Sequence, residues 1–245
     1  MTTIRVENIT KYYLGRKVLD DLTLEIPHGT NLGLIGPGGA GKSLLLKIIT
    51  RLVEPDRGRV FFGEEDVTAM DEQALVKLRF GVGMLFQNYA LFDFMNVADN
   101  IAFPLRQKGK LSEAEIQAKV QEQLELVGLP GIGHLFANEI SGGMKKRVSF
   151  CRAVISAPKI IFYDDPTAGL DPVTSSKIFI HLRRMQQQGG VTSITISHDI
   201  GGIRDICDDF AMLEGGRLIF HGTRAAIEAS EVRLVRQFWE GSSDD

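Results

Sequence analysis

The stretch Leu32-Gly33-Leu34-Ile35-Gly36-Pro37-Gly38-Gly39-Ala40-Gly41-Lys42-Ser43 decides the fold of this chain. Its first four residues are typical of a short strand, the glycines form a loop, and residues 44–52 suit a helix. Glycines expose backbone N–H groups because no Cβ blocks a ligand. The N-terminus of the following helix adds partial positive charge. A strand, glycine loop and helix in this order therefore predict an α/β fold with a phosphate-binding loop.

The phosphate loop has a distinct chemical task for its last two residues. Lys42 can reach the β- and γ-phosphates of ATP, and we expect its side chain to lie outside the core. The Ser43 hydroxyl can ligate Mg²⁺. A glycine-rich turn before a helix is the alternative, but it does not require this spacing. ATP and Mg²⁺ are therefore the predicted ligands, and the predicted binding residues are Gly36, Pro37, Gly38, Gly39, Ala40, Gly41, Lys42 and Ser43.

Two carboxylates follow a second apolar strand, Ile160-Ile161-Phe162-Tyr163. Asp164 stands where a carboxylate can hold Mg²⁺ through water, and Asp165 stands where it can orient the attacking water. The pair could instead begin a turn, since Asp165-Pro166 is a good turn starter. Beside a phosphate loop, the catalytic interpretation is favoured.

Hydrophobic patterning divides the rest of the chain into three parts. Residues 4–9, 18–26 and 59–62 have the pattern of strands and predict a small antiparallel sheet. Residues 159–163 and 192–197 are apolar or β-branched, as in strands buried on both faces. After Ser112, a helix-capping residue, apolar residues recur at helical spacing until Gly128. We predict a catalytic core over residues 1–89 and 157–240, a helical subdomain over 90–156, and a polar tail over 241–245.

Composition excludes several classes of protein. The chain has 245 residues, a net charge of −3 and only two cysteines. Because the net charge is negative and the sequence has no long basic run, nucleic acid is not an expected partner. No apolar run reaches the roughly 20 residues that a membrane helix needs, and no secretory signal is evident. We expect a cytoplasmic protein whose link to a membrane depends on a partner.

The chain resembles the nucleotide-binding subunit of ATP-binding-cassette (ABC) transporters. The resemblance is carried by the two motifs above together with Gln87, Ile140-Ser141-Gly142-Gly143-Met144, Ala168-Gly169-Leu170-Asp171 and His198. It covers nearly the whole chain, and Ser141-Gly142-Gly143 distinguishes this family from other phosphate-loop ATPases. The resemblance implies a RecA-like core, an N-terminal antiparallel β subdomain and a helical subdomain.

The family also implies roles for individual residues. Tyr13 is expected to stack on adenine, although Tyr12 is an alternative. Gln87 is expected to contact Mg²⁺ and to sense a permease, and His198 to bond the γ-phosphate. Residues Ser141, Gly142 and Gly143 are expected to meet ATP held by a second copy of the chain, and Asp171 to face that copy. ATP therefore closes a dimer in this interpretation, and its hydrolysis opens the dimer.

Within the family, the chain looks like the ATPases of lipid transporters that work with mammalian-cell-entry (MCE) domain proteins, such as the maintenance-of-lipid-asymmetry system. This likeness rests on the stretch Met84–Val97 and its continuation Asn100–Arg106, on Met144 in place of the usual Gln, and on Val235-Arg236-Gln237-Phe238. It implies phospholipid cargo, a membrane permease, a periplasmic MCE protein and a small STAS-domain protein. The subunit is then peripheral, on the cytoplasmic side of the inner membrane.

Several interpretations remain open from sequence. Asp165 replaces the Glu usual in the family, so the chain could be a nucleotide-gated dimerisation switch with weak hydrolysis. It could also serve an importer of another small substrate. The five large apolar residues Tyr89, Leu91, Phe92, Phe94 and Met95 could form a permease groove or a core of the helical subdomain.

Two further surfaces have competing interpretations. Lys145 and Lys146 could assist phosphate binding or lie on a solvated helix face. An apolar stripe near the C-terminus, formed by Leu234, Val235, Phe238 and Trp239, is expected to pack on the protein's own core.

Overall fold

A computed structural model describes residues 3–241, apart from the side chains of residues 188 and 189. Apart from Gly241, the predicted polar tail lies outside the described residues. Within residues 3–241, ten strands form two sheets. They are β1 (Ile4–Tyr13), β2 (Arg16–Ile26), β3 (Asn31–Ile35), β4 (Arg57–Phe62), β5 (Glu65–Asp66), β6 (Val82–Leu85), β7 (Ile160–Asp164), β8 (Thr192–Ile196), β9 (Asp209–Glu214) and β10 (Arg217–Thr223).

The helices surround these sheets and follow the strands in an α/β order. They are α1 (Lys42–Ile49), α2 (Glu72–Arg79), α3 (Val97–Lys108), α4 (Glu113–Leu126), α5 (Gly142–Val154), α6 (Pro172–Gly189), α7 (Ile200–Ile206), α8 (Arg224–Glu228) and α9 (Arg233–Glu240). No helix among the described residues combines the length and the apolar character needed to cross a membrane.

The smaller sheet is antiparallel, with strand order β2-β1-β4-β5. This confirms the antiparallel sheet predicted from the alternating patterns. Inward-facing residues such as Ile4, Val6 and Leu24 are buried, and they join an apolar cluster that continues through α1 to the larger sheet. The small sheet therefore packs through a shared core against the elements that carry the phosphate loop.

The larger sheet has the order β10-β9-β3-β8-β7-β6. All neighbouring pairs from β9 to β6 are parallel, and β10 is an antiparallel edge. Every residue of β7 and β8 is buried, which confirms the prediction of strands covered on both faces. Because parallel strands share one carboxyl edge, the loops that follow β3, β6, β7 and β8 meet there.

Helix α1 is shorter than the predicted range of residues 44–52. It begins at Lys42 and ends at Ile49. The Thr50 hydroxyl donates to the Leu46 carbonyl at 2.9 Å, and Arg51 takes a left-handed φ of 57°. A non-glycine residue in this region does not continue a right-handed helix, so the chain turns away before Leu52.

Helices α3, α4 and α5 share a separate apolar cluster, which includes Ile101, Ile116 and Val148. The predicted cap of α4 is confirmed, because the Ser112 hydroxyl and the Glu115 carboxylate form a reciprocal capping box. This cluster gives the helical segment its own interior.

The apolar stripe of α9 packs on the protein's own core, as predicted. Val235 and Trp239 are buried, whereas Leu234 and Phe238 are partly buried against the same cluster. The Trp239 ring lies edge-on to Phe210, with 4.8 Å between centroids. These contacts join the end of the described chain to the larger sheet.

Candidate functional site

The phosphate loop links β3 directly to α1, as the sequence predicts. Gly36 has a φ of 136°, and a Cβ at this position would lie 2.1 Å from the Leu213 carbonyl oxygen. Only glycine fits a backbone held so close to β9. Gly38 and Gly39 have open space where a Cβ would stand, so the loop presents an uncovered backbone to a ligand.

Lys42 is buried, which corrects the expectation that its side chain lies outside the core. Its ammonium donates hydrogen bonds to the carbonyls of Gly36 at 2.7 Å and Pro37 at 2.8 Å. Burial lowers the pKa of Lys42, and the carboxylates of Asp164 and Asp165 oppose that shift. The first turn of α1 begins at this residue, so the ammonium folds back over the loop that precedes it.

Ser43 and Asp164 form a hard-oxygen pair at the end of β7. The Ser43 hydroxyl donates to Asp164 Oδ1 at 2.9 Å. Burial raises the pKa of Asp164, whereas this hydrogen bond lowers it. A buried carboxylate beside a hydroxyl is a donor set that suits Mg²⁺, whose charge would stabilise the ionised form. The residues present therefore fit the predicted metal.

One cavity of about 360 Å³ brings most of the predicted site residues together. It joins the phosphate loop to the ends of three other strands. Its walls are Val18, Gly38, Gly39, Ala40, Gly41, Lys42, Ser43, Leu44, Gln87, Asp164, Asp165, Ile196 and His198. Residues separated by more than a hundred positions in sequence thus face one space.

Asp165 occupies a constrained position in this cavity. It is buried, has a left-handed φ of 57°, and donates its backbone N–H to the Ile196 carbonyl at 2.9 Å. Aspartate tolerates this backbone region better than most residues. His198 is exposed and lies just beyond the end of β8. Asp165 and His198 therefore reach the cavity from neighbouring strands.

Among the described residues, the predicted site residues that do not line this cavity are Gly36, Pro37, Tyr13 and residues 141–143. Tyr13 is 50% exposed at the end of β1, and Tyr12 is 43% exposed beside it. Each ring has a lysine ammonium about 6 Å from its centroid, Lys11 for Tyr13 and Lys17 for Tyr12. Both tyrosines are thus open to solvent, and the geometry does not choose between them.

The Ser141 segment lies at the surface, at the start of α5. Ser141 is the N-cap, and its hydroxyl accepts a hydrogen bond from the Met144 N–H at 3.3 Å. Asp171 caps α6 in the same way by accepting from Thr174 N–H at 2.9 Å. Ser141 and Asp171 therefore each cap the N-terminus of their own helix.

The structure distinguishes Lys146 from its neighbour Lys145, although the local sequence allows the same two interpretations for both residues. Lys146 is only 1% exposed, so the solvated-face interpretation is wrong for this residue, whereas Lys145 is partly exposed. Burial lowers the pKa of Lys146, and the carboxylates of Asp165 and Asp164 oppose that shift. Its place in the run Lys145-Lys146-Arg147 gives no local signal of this burial.

Comparison with known proteins places this geometry in context. The model of the family described as "ABC transporter" matches residues 19–168. The methionine import ATP-binding protein MetN of Desulfitobacterium hafniense is 40% identical over 223 residues, which cover 89% of this chain and 65% of that protein. The chain thus spans just under two thirds of that relative's length.

Two other relatives cover more of this chain. The intermembrane phospholipid transport system ATP-binding protein MlaF of Escherichia coli K12 is 36% identical over 230 residues, which cover 94% of this chain and 86% of MlaF. The probable ribonucleotide transport ATP-binding protein mkl of Mycobacterium tuberculosis H37Rv is 38% identical, with coverage of 98% of this chain and 67% of mkl.

A solved structure has a similar fold. The dimeric post-hydrolysis state of the ATP-binding cassette MJ0796, bound to ADP and phosphate, superposes with a TM-score of 0.85. It is 30% identical in sequence, and the match covers 90% of this chain and 98% of that one.

Proposed function

This chain belongs to the ABC transporter family of ATPases, and on that premise we propose that it is the ATP-hydrolysing subunit of a phospholipid transporter. The observation that carries the catalytic part is the single cavity shared by the phosphate loop, Gln87, Asp164, Asp165 and His198. A phosphate cradle, hard-oxygen metal ligands and a water-orienting carboxylate together are the parts that phosphoryl transfer to water requires.

In the proposed reaction, the loop amides and Lys42 bind the phosphates of ATP. Ser43, Gln87 and Asp164 would hold Mg²⁺, and the bound ion would supply positive charge that neutralises the phosphate oxygens. The Asp165 carboxylate orients a water for attack on the γ-phosphorus and accepts its proton. The bond between the γ-phosphorus and the β-phosphate oxygen breaks, which yields ADP and inorganic phosphate. His198 positions the γ-phosphate by a hydrogen bond.

We assign Tyr13 to the adenine ring, as the family resemblance implies, with Tyr12 as the alternative. Both rings are exposed at the end of β1, as this role requires. Residues 141–143 are assigned to the ATP of a second copy of the chain. The exposure of Ser141 and Gly142 at the start of a helix suits an anion brought from outside. The dimeric assembly of MJ0796 supports this arrangement. In this proposal, residues 1–89 and 157–240 form the catalytic core, and residues 90–156 form the helical subdomain that carries Ser141.

The proposed permease contact lies next to the Gln87 loop. A groove of about 360 Å³ passes between β6, α3 and α5, and Phe92, Phe103 and Arg152 line it. Phe92 packs against Phe94 and Phe103 with centroid distances of 5.6 and 5.0 Å. Phe94 is 77% exposed. Half-buried Phe92 and Phe103 and exposed Phe94 around a groove suit an amphipathic helix from a membrane partner.

Part of this apolar segment has another use. Leu91 packs against the apolar cluster of the helical segment, as the alternative interpretation expects. Leu91 thus contributes to the subdomain core, whereas Phe92 lines the groove and Phe94 is exposed beside it, so Phe92 and Phe94 form the part available to a permease.

The phospholipid assignment is supported by the name and extent of the MlaF match, which spans 86% of that protein. It implies a membrane permease, a periplasmic MCE-domain protein and a STAS-domain protein as partners. The subunit would then sit peripherally on the cytoplasmic side of the inner membrane. Because the methionine import relative is 40% identical, import of another small substrate is the second candidate.

A third candidate is a nucleotide-gated dimerisation switch with weak hydrolysis. The short Asp165 side chain supports it, because this carboxylate reaches less far than Glu. Small misplacements of a catalytic group can cost much rate. Steady-state phosphate release separates a switch from a transport ATPase.

The decisive test of the cargo is copurification from membranes followed by lipid analysis. Recovery with an MCE-domain protein and bound phospholipid is expected. Recovery with an amino-acid or sugar permease and its binding protein would overturn the lipid assignment and leave the ATPase standing.

The proposed docking surface is tested by adding charge. Phe92→Glu and the more exposed Phe94→Glu should both abolish copurification with the permease while ATP affinity stays unchanged. Val76→Glu is the matched control, because Val76 is 44% exposed on α2 and lines neither the groove nor the nucleotide cavity. Loss of the permease with the control variant as well would contradict a specific groove.

A further inference from the structure

Helix α5 is hydrogen-bonded along one side to the loop that follows Gln87. The residues involved, Lys146, Ser149 and Arg152, are spaced three apart, so they lie close together on the helix surface. Lys146 Nζ donates to the Gln87 carbonyl at 3.4 Å. Ser149 Oγ and Arg152 Nη2 donate to the Tyr89 carbonyl at 2.5 and 3.0 Å.

The contact continues one residue further along the loop. Arg152 Nη1 donates to the Ala90 carbonyl at 2.7 Å. The guanidinium also lies 5.7 Å from the centroid of the Phe92 ring. Three of the four carbonyls between residues 87 and 90 therefore accept from side chains of a single helix.

The loop that these side chains hold is strained. Tyr89 and Ala90 have φ values of 60° and 51°, and neither is glycine. Two consecutive left-handed residues with a Cβ are unfavourable. Such a conformation persists only where the surroundings over-determine it, and strained segments gather at switch regions. The carbonyls of these same two residues are the ones that Ser149 and Arg152 bind.

Lys146 is a buried residue in contact with the loop after Gln87, not a solvent-exposed surface charge. Its side chain is 1% exposed, and its ammonium lies 5.7 Å from the centroid of the Tyr89 ring. A buried ammonium is costly unless it is paired, so simple packing would favour an apolar residue here. The contact to the Gln87 carbonyl gives this charge a specific use.

The same helix carries the Ser141 segment at its N-terminus. A Cβ at Gly142 would lie 3.2 Å from the Tyr89 hydroxyl, so the loop also touches the start of α5. We propose that Lys146, Ser149 and Arg152 are positioning residues that hold the loop of residues 87–90 in its left-handed form. They thereby keep Gln87 at the nucleotide cavity in fixed relation to Ser141. The proposal rests on the proposed ATPase function for its kinetic consequence, but not for the loop geometry.

The first test measures the loop without any turnover. In Lys146→Met and in the smaller change Ser149→Ala, amide hydrogen exchange of residues 86–92 should rise by about tenfold, because a local opening becomes easier. Lys146→Arg retains a donor and should stay near the wild-type exchange rate. Lys145→Met is the matched control, since it removes the same charge from the same helix and should leave the loop exchange unchanged.

The second test asks whether the positioning residues Lys146, Ser149 and Arg152, here called the clamp, act through Gln87. Lys146→Met should lower kcat by about tenfold with a less than twofold change in the KM for ATP, as a misplaced active-site group would. In a Gln87→Ala background, adding Lys146→Met should have little further effect, because both changes act through one residue. Independent, multiplicative losses would overturn the proposal.

A glycine replacement tests the role of strain. Glycine adopts the left-handed region freely. By the same reasoning as for Lys146→Met, Ser149→Ala should lower kcat. Ala90→Gly should restore much of that lost activity, and failure to restore any would contradict a role in holding the backbone. If the wild-type chain hydrolyses no ATP, the proposed function fails, while the exchange experiment still decides whether α5 clamps the loop. Unchanged loop exchange in both Lys146→Met and Ser149→Ala would refute the clamp itself.

Discussion

Replacement of Asp165 gives the sharpest test of the proposed chemistry. Asp165→Asn keeps the size of the side chain and removes its charge. Asparagine also tolerates the left-handed backbone, φ 57°, that Asp165 adopts. The backbone N–H can still donate to the Ile196 carbonyl, so the fold of the site is retained. The change therefore removes one proton acceptor and little else.

The expected loss follows from the role of this carboxylate. A positioned general base contributes about 10²–10⁴-fold to a rate. At about 1.4 kcal/mol for each tenfold, the barrier rises by about 3–5 kcal/mol. Because the phosphate loop and the Ser43–Asp164 pair are untouched, ATP should still bind. Asp165→Asn should accumulate as an ATP-bound dimer.

Asp165→Glu makes the opposite comparison. The longer side chain should preserve or raise turnover, because its carboxylate reaches further into the cavity of about 360 Å³. Glu lacks the tolerance of Asp for a left-handed backbone, which we expect to cost about 1 kcal/mol of folding stability. The melting temperature should fall by about 2–4 °C for a domain of this size.

The assay is steady-state phosphate release, combined with size-exclusion chromatography in the presence of ATP and with thermal unfolding of each variant. Full activity in Asp165→Asn would refute the assignment of the water-orienting carboxylate, and His198 would become the next candidate. If Asp165→Glu is inactive but stably folded, a longer side chain at this position does not place the carboxylate better for catalysis, which would refute the expectation.

Other changes probe the remaining parts of the site. Lys42→Ala should abolish tight Mg-ATP binding in a titration, with a small loss of thermal stability because two loop carbonyls lose their donor; unchanged ATPase activity would exclude the phosphate-loop assignment. Ser141→Arg should leave ATP binding to the monomer mostly intact but stop turnover, because a bulky cation obstructs a site completed by a second copy; normal hydrolysis would rule out completion in trans. Cys151 and Cys207 are buried, and burial raises the pKa of both thiols, so neither should react with a thiol reagent at pH 8 until the chain unfolds, and both should react in denaturant. Rapid labelling of the native protein would contradict the described packing.

Local sequence determined those features that depend on neighbouring residues. The phosphate loop could be predicted because glycine is required wherever backbone approaches a ligand or another strand, as Gly36 approaches Leu213. The buried strands β7 and β8 could be predicted because apolar and β-branched runs suit a sheet covered on both faces. The cap at Ser112 could be predicted because its partner, Glu115, is three residues away.

The tertiary structure, in contrast, decided which distant residues meet at the cavity. The sheet order, in which β8 and β7 separate β3 from β6, brings together Gln87, Asp164 and His198. From sequence, their convergence was available only through the resemblance to a known family. No local pattern specifies which distant strands become neighbours, because that order is selected by packing across the whole core.

The burial of Lys146 and the left-handed conformation of Tyr89 and Ala90 were settled by tertiary structure alone. A lysine beside another lysine carries the same local signal whether it faces water or a loop. The environment of Lys146 depends on which segment packs against it. That segment is the loop after Gln87, about sixty residues earlier in the chain, and only folding brings its backbone carbonyls to α5.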